Sequence, residues 1–482
     1  MYGRSWGAAA AAAGIGAAVA ACGGRTTLEW LIGAPAGASD GGADGETSFD
    51  GGRPASDASS GGPDSGGSFD GSPHDAALDA ASVDAGPPPI NPRCIEPLGL
   101  QPGSPWPIAQ RCPARAGYTD AIGPSSPKVA WAVPATDVWL PEVVIAADGT
   151  IYGYDVARGV VALGSDGRTR WATAIGSPSS QDAGGTSLAI GPDGTVYAWN
   201  GWLTELAPDG TVVRQVQVTF NPASTDAQPS FELTVGHDGT VYALELPPSG
   251  AANLLAIDPT SGDVRREPFG DGETPVAAPT VGSAGDVLVV VTESDGSGWL
   301  LTFPPGGGAP QSLNLEPALQ PPPSFDMLSG ISVTVGDDGT LYVPCLWNFA
   351  TPQDLSHSAA CSYDEAGNLL ARFRTTSGGV TLTPSGDLVY VNADPRLEAY
   401  APDGTVRWIT AFDTPGFPVV DGNGTLFLVS NDGQGDTVAI SSSNAVQWRA
   451  PLGLPVAMGA DGTLYTVTNV AGSPSAISAI AP

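Results

Sequence analysis

The sequence predicts an all-β fold: an eight-bladed β-propeller of four-stranded antiparallel blades, with a strand from the N-terminal side closing the last blade. Three observations carry this. A phrase of apolar run, Gly-containing turn (Asp-Gly-Thr in five copies, weaker variants in three) and a second apolar or aromatic strand recurs eight times after residue 140. Glycine (65) and proline (46) are abundant among the 482 residues, so turns are frequent and long helices cannot dominate. The last repeat stops one strand short, while an unpaired strand-like segment precedes the first.

From the N-terminus, residues 1–21 read as a lipoprotein signal peptide. Arg4 supplies the positive charge, and Ala8 to Ala21 form an apolar stretch too short to cross a bilayer of about 30 Å. Val19-Ala20-Ala21-Cys22 resembles a lipobox, with Val in place of the usual Leu. That resemblance makes Cys22 the lipidation site and the mature N-terminus. Gly23 after it favours the bacterial outer membrane over the inner one.

Residues 22–92 form a tether expected to be disordered, rich in Gly, Ser, Asp and Pro. Over residues 33–89 its large apolar residues are few (Phe49, Phe69, Leu78, Val83), too few to offset the entropy of ordering. A flexible chain of about 70 residues spans roughly 45 Å r.m.s.. Residues 93–125 are an irregular lead-in carrying Cys94 and Cys112. An exported chain meets an oxidising compartment, so Cys94, Cys112, Cys345 and Cys361 are disulfide candidates. Local pairing, Cys94–Cys112 and Cys345–Cys361, is the obvious connectivity, although three are open.

The ring is expected over 126–482. Its anchors are Asp148, Asp193, Asp238, Ala284, Asp338, Ser385, Asn423 and Asp461, spaced by about 38 to 54 residues, as propeller blades are. Asp-Gly or Asn-Gly between apolar runs signals a hairpin, because the tip needs φ > 0. A second turn follows in most repeats, as at Ser165-Asp166-Gly167 and Pro208-Asp209-Gly210, and then an outer strand, often with Trp. Lys128 to Val133, with Trp131, supplies the outer strand missing from the last repeat, so no sheet edge is left open at the closure.

The segments AYAPDGTVRW (399–408), ALGSDGRTRW (162–171) and AISSSNAVQW (439–448) resemble the Ala–Asp–Gly–Trp pattern of PQQ-like, or quinoprotein-type, propeller repeats. The resemblance implies that Trp131, Trp171, Trp408 and Trp448 dock between adjacent blades. Repeat two departs, with Val213-Arg214 at the expected Trp, and repeat three reads AIDPTSGDVRR.

The charge balance is 18 basic to 50 acidic residues, net −32, which excludes a nucleic-acid binder. No nucleophile elbow, zinc-protease, P-loop or dinucleotide motif occurs. Of the three histidines, His237 is a turn residue, His357 lies in a Ser-rich loop and His74 in the tether, so no catalytic triad is supported. No vicinal Cys pair marks a quinone site. Asn431 to Asp436 loosely resembles an oxygen-rich Ca²⁺ loop, and Asp337-Asp338 is a paired carboxylate, but both read better as solvated turns. No catalytic residue and no cofactor, Ca²⁺ and PQQ included, are therefore expected. Long insertions at 177–186, 219–230, 304–323 and 344–362, with Trp199, Trp202, Trp347 and Phe349 beside them, favour contact with an envelope protein or glycan. The expected function is a monomeric, non-catalytic, lipid-anchored interaction module, periplasmic or surface-exposed. The alternatives are a quinoprotein dehydrogenase, a glycan-cleaving enzyme and an outer-membrane-protein assembly factor of the propeller-lipoprotein type.

Overall fold

The computed structural model describes residues 98–176, 186–218, 232–247, 251–293, 297–315, 332–346, 359–364, 366–374, 380–392, 396–412, 414, 417–431, 435–468 and 475–482. The signal peptide, Cys22, the tether, Cys94, His74, Trp347, Phe349 and His357 lie outside the described residues.

The chain forms eight antiparallel blades in a ring, with no helix among the described residues. The N-terminal strand β1 (Val129–Pro134) belongs to the last blade. Blade 1 comprises β2–β5 (Trp139–Ile145, Ile151–Asp155, Gly159–Leu163, Thr169–Thr173) and blade 2 comprises β6–β9 (Ser187–Ile190, Val196–Trp199, Trp202–Leu206, Val212–Gln217). Blade 3 is β10–β13 (Thr234–Val235, Val241–Glu245, Asn253–Ile257, Val264–Pro268). In blade 4 the inner strand is split into β14 and β15 (Thr274–Pro275, Thr280–Val281), ahead of β16–β18 (Val287–Thr292, Gly298–Phe303, Gln311–Asn314). Blade 5 is β19–β22 (Thr334–Val335, Leu341–Leu346, Ala359–Tyr363, Leu369–Arg374) and blade 6 is β23–β26 (Thr381–Leu382, Leu388–Asn392, Arg396–Tyr400, Val406–Ala411). Blade 7 is β27–β30 (Val419–Val420, Leu426–Val429, Thr437–Ile440, Val446–Ala450). Blade 8 combines β31–β33 (Leu454–Met458, Leu464–Thr468, Ala476–Ile480) with β1, in the order β1-β33-β32-β31.

The closure is as the sequence implies. Trp131 faces Ala479 and Pro134 faces Ala476, and the inner strands of blades 8 and 1 pack together. At each of the eight anchors the glycine has φ between 74° and 88°. In blade 1, Gly149 N–H donates to Ala146 O and Ala146 N–H to Thr150 O. This is a type I turn followed by a left-handed glycine bulge rather than a two-residue loop. Asp148 accepts Thr150 N–H and so fixes the turn; Asp193, Asp238, Asp338 and Asp461 repeat the bond.

Two sequence expectations change here. Within 304–323, residues Gln311–Asn314 form the outer strand of blade 4, because every apolar blade face needs a covering strand. Within 344–362, β20 runs on to Leu346 and β21 starts at Ala359.

Alternation of strand direction gives the ring two unlike faces. Turns between first and second, and between third and fourth strands, share one face, termed the hairpin face. Turns between second and third strands share the other, termed the loop face, with every connection between blades.

Candidate functional site

The lead-in lies across the axis on the hairpin face. The inner strand of a blade has no partner on its axial edge, so its N–H groups there need acceptors. The lead-in provides them in series. Trp106 O accepts Ile145 N–H (2.8 Å), Pro107 O accepts Ile190 N–H (2.9 Å) and Pro113 O accepts Val281 N–H (3.1 Å). Ala114 O accepts Val335 N–H (2.9 Å), Ala116 O accepts Leu382 N–H (3.0 Å) and Gly117 O accepts Val420 N–H (3.2 Å). These six donors hold one equivalent position, the residue paired with the start of each second strand. Gly99 abuts Gly236 of blade 3, and Gly123 abuts Phe427 and Met458 of blades 7 and 8. All eight blades thus touch the lead-in, which closes this end of the axial channel.

Two buried arginines fix it. Arg111 donates from Nη1 to Tyr118 O (2.6 Å) and from Nε to Pro105 O (3.3 Å), and lies over the Tyr118 ring; burial lowers its pKa. Tyr118 OH donates to Asp337 (3.1 Å to Oδ2) of the blade 5 turn, and burial raises its pKa. Asp337 therefore serves as an anchor for the lead-in. Arg115 has φ 57°, a left-handed conformation that costs a non-glycine residue on the order of 1 kcal/mol. Its Nη1 pairs with Glu232 and its Nη2 donates to Pro279 O (3.2 Å).

Two acids interact with Arg115 at that level. Glu142 and Glu232 each stand six residues before their Asp anchors, in blades 1 and 3. Ser187 and Ser332 hold the same position in blades 2 and 5. Glu142 Oε1 accepts Leu188 N–H (2.6 Å) and Ser187 Oγ–H (3.0 Å). It is half-buried by area, and its carboxyl is desolvated by the protein around it. That desolvation, and then the charge of Glu232, push its pKa up to about 8 against those hydrogen bonds and Arg115. At pH 7 Glu142 is mostly protonated. Neither glutamate stands out in the sequence. The signal that finds them is register alignment of the repeats, which places two acids where other blades carry Ser, Ala, Gly, Phe or Pro.

Between blades, Trp131 Nε1 donates to Ser165 O, Trp171 Nε1 to Pro208 O and Trp448 Nε1 to Pro124 O, each at 2.8 Å. The rings of Trp131 and Trp171 lie on Gly167 and Gly210 of the next blade so closely that no Cβ would fit. Trp408 packs half-buried against the core. Blade 2 has Arg214 in this place. Its guanidinium donates to Pro259 O and Thr260 O, both at 2.8 Å, and it lies against Gly262. Opposite each Trp the third strand carries alanine (Ala162, Ala399, Ala439, Ala479), whereas opposite Arg214 it carries buried Glu205. The departure in repeat two is therefore a paired replacement.

The other candidates fare as follows. Cys112 and Cys361 are fully buried and disulfide-bonded; Cys94 and the Cys345 side chain lie outside the description. Trp199, expected beside a loop, is 1% exposed because it packs in the core of blades 2 and 3. Trp202 is half-buried against Gly176. His237 sits in its hairpin turn against Gly285 of the next blade. In the Asn431–Asp436 stretch, residues 432–434 lie outside the description, and Asp436 pairs with Arg449 at 2.6 Å. Among the described residues no three His, Cys, Asp or Glu side chains converge to hold a metal. PQQ with Ca²⁺ does not fit Glu142 and Glu232: Arg115 already occupies Glu232, and two carboxylates fall short of the six to eight oxygens Ca²⁺ takes.

No protein-family profile matches the chain, and no curated protein matches it. Solved structures do. The crystal structure of BamB from Moraxella catarrhalis is similar over 73% of this chain and 98% of that one, at 14% identity and TM-score 0.49. The Dos1 propeller is similar over 73% and 94%, at 10% identity and TM-score 0.43. BBS1N, solved in complex with ARL6DN, is similar over 62% and 87%, at 11% identity and TM-score 0.37.

Proposed function

We propose that this chain is a PQQ-like-repeat propeller without PQQ that works by binding, as a lipid-anchored module of the bacterial outer membrane whose loop face takes an envelope protein. The observation that carries this reading is the lead-in lying across the hairpin face. It uses up the axial edge there and leaves the loop face, on which the connections between blades fall, to a partner. Cys22 carries the lipid.

The test is site-directed photocrosslinking in cells. A crosslinker at Ala157, in the loop-face turn of blade 1, captures a discrete envelope protein, whereas one at Asp403, in the hairpin-face turn of blade 6, does not. Equal capture at both, or capture at Asp403 alone, refutes the reading. Cys22→Ala moves the protein to the soluble fraction; retention in the membrane refutes the anchor. Dye reduction on adding PQQ and Ca²⁺ would replace the binding function with the dehydrogenase alternative.

A further inference from the structure

We propose that Asn423, in the hairpin turn of blade 7, is a site of covalent modification: its carboxamide cyclises onto the Gly424 amide and is hydrolysed to aspartate or isoaspartate. The site does not depend on the binding function.

The first observation is how the blade 7 turn is wired. In five blades the anchor aspartate accepts the N–H of the threonine two residues on. In blade 7 the anchor is Asn423, and Thr425 bonds elsewhere. Asp421, 2% exposed, stands where those five blades carry Gly or Ala. Its Oδ1 accepts Thr425 N–H (2.7 Å) and Asn423 N–H (2.9 Å), and its Oδ2 accepts Gly123 N–H of the lead-in (3.0 Å). Asp421 thus does the work of the anchor. The Asn423 side chain has no part in holding the turn, and the residue is exposed.

The second observation is the residue that follows. The chain has two Asn-Gly pairs, and glycine leaves the attacking nitrogen unhindered by a side chain. In the other pair, Asn200-Gly201, the carboxamide is committed. Its Nδ2 donates to Gly176 O (3.0 Å) and its Oδ1 accepts Trp202 N–H (3.3 Å), in a residue 2% exposed. At Asn423 the restraint lies in the main chain. Gly424 N–H donates to Asp421 O (2.9 Å), so the turn must open before the amide can reach Cγ. Opening a turn tip is a local event, whereas releasing Asn200 breaks a buried part of blade 2.

The chemistry needs water alone. Gly424 N gives up its proton to solvent and attacks Asn423 Cγ. The N–Cγ bond forms, the Cγ–Nδ2 bond breaks, and Nδ2 leaves as ammonia after taking up a proton. Water then opens the cyclic imide. Attack at Cγ gives aspartate, and attack at the main-chain carbonyl carbon gives isoaspartate. The net change is one water consumed and one ammonia released, with no oxidation or reduction.

The two products differ in what they do to the lead-in. Aspartate is the residue the five other turns carry, so it keeps the turn. Isoaspartate routes the main chain through the side-chain methylene and lengthens the turn. That turn grips the lead-in: Gly422 N–H donates to Ala121 O and Val420 O accepts Thr119 N–H, both at 2.9 Å, and Gly422 lies too close to Asp120 for a Cβ to fit. Isoaspartate therefore loosens blade 7 from the lead-in.

The experiment incubates the full chain, folded and in urea, at mildly alkaline pH in heavy-oxygen water. Peptides are mapped by mass spectrometry, and isoaspartate is read by isoaspartyl methyltransferase labelling. Expected in the folded chain is labelled aspartate and isoaspartate at position 423, formed at least about tenfold faster than at Asn200, with the two sites alike in urea. Asn423→Gln abolishes the conversion there, because its longer side chain closes the imide far more slowly. The isoaspartate form, separated by ion exchange, melts several degrees below the parent, while Asn423→Asp melts with it. Asn423-Gly424-Thr425 is also the one Asn-X-Ser/Thr acceptor in the chain, so glycosylation is the rival modification. The proposal is overturned if Asn423 stays intact in the folded chain while it converts in urea, if folded Asn200 converts as fast, or if protein from its own host carries a glycan on Asn423. An isoaspartate form that melts with the parent overturns the effect on the lead-in.

Discussion

The two halves of the ring differ in how the blades are joined. Blades 6, 7, 8 and 1 form a continuous arc in which Trp408, Trp448, Trp131 and Trp171 stand on the outer strands. In blades 2 to 5 the residues set against the next blade's turn are Arg214, Arg265, Leu313 and Ala371. The connections differ in the same sense. At the seam only three residues separate β30 from β31 and four separate β1 from β2, whereas sixteen separate β9 from β10 and nineteen β18 from β19, although the other arc also has short links of five (β13 to β14) and six (β22 to β23). The Trp arc also contains the closure, where β1 meets β33. The contrast teaches that the seam is held by a fixed docking device on both sides, while the opposite arc tolerates substitutions and long insertions.

The largest effect comes from breaking the seam itself. Replacing Val129–Pro134 by alternating Gly and Ser removes the outer strand of blade 8 while leaving the lead-in in place. Thermal unfolding followed by circular dichroism is expected to lose its cooperative transition or fall by tens of degrees. A transition within a few degrees of the parent would show that the closure contributes little.

Next in size is the docking residue. Trp171→Ala removes the bond to Pro208 O and the packing on Gly210, at a cost of about 2–3 kcal/mol, read by urea unfolding. Arg214 offers a sharper comparison. Its Nη1 lies 3.8 Å from Glu205 Oε1, too far for a hydrogen bond, yet it is the cation nearest that buried carboxylate. Arg214→Trp alone therefore strands Glu205 and destabilises the chain. The double change Glu205→Ala with Arg214→Trp rebuilds the pair of the other arc and recovers about 2 kcal/mol. Additivity of the two changes would mean that Glu205 and Arg214 are not an exchange for Ala and Trp.

A comparable effect belongs to the cysteines. Non-reducing peptide mapping is expected to find Cys94–Cys112 and Cys345–Cys361, and reduction to cost roughly 3 kcal/mol per bridge. Any other connectivity would tie the lead-in to a different part of the ring.

The same contrast explains what could be read from the sequence. The eight hairpins were legible because each needs a left-handed residue at one place, and seven of them advertise it with Asp, Asn or Ser before Gly. The closing strand was legible from Trp131 and the unfinished last repeat. The path of the lead-in was not. It binds the ring through main-chain carbonyls, which any residue possesses, so no side-chain pattern marks it. Glu142 and Glu232, 90 positions apart, look like isolated acids until the repeats are laid in register. Repeat two looked degenerate because Arg214 and Glu205 changed together, and a pattern built on Trp alone cannot see an exchange of both partners.

The smallest effect tests Glu142 through stability alone. Glu142 has an ordinary carboxyl value of 4.5 when unfolded and about 8 when folded. The folded state thus holds its proton more tightly. The stability this provides is complete below about pH 4.5 and is lost progressively as the pH rises through 8. Glu142→Gln keeps the acceptor oxygen for Leu188 N–H and Ser187 Oγ–H but cannot ionise. Its melting temperature is expected to match the parent near pH 5 and exceed it at pH 9, with the gap opening between those values. Its neighbours along the Trp arc have no such group there: Phe417 and Pro455 stand at the equivalent positions of blades 7 and 8. A parallel pair of curves would mean that Glu142 is as well solvated in the folded ring as outside it.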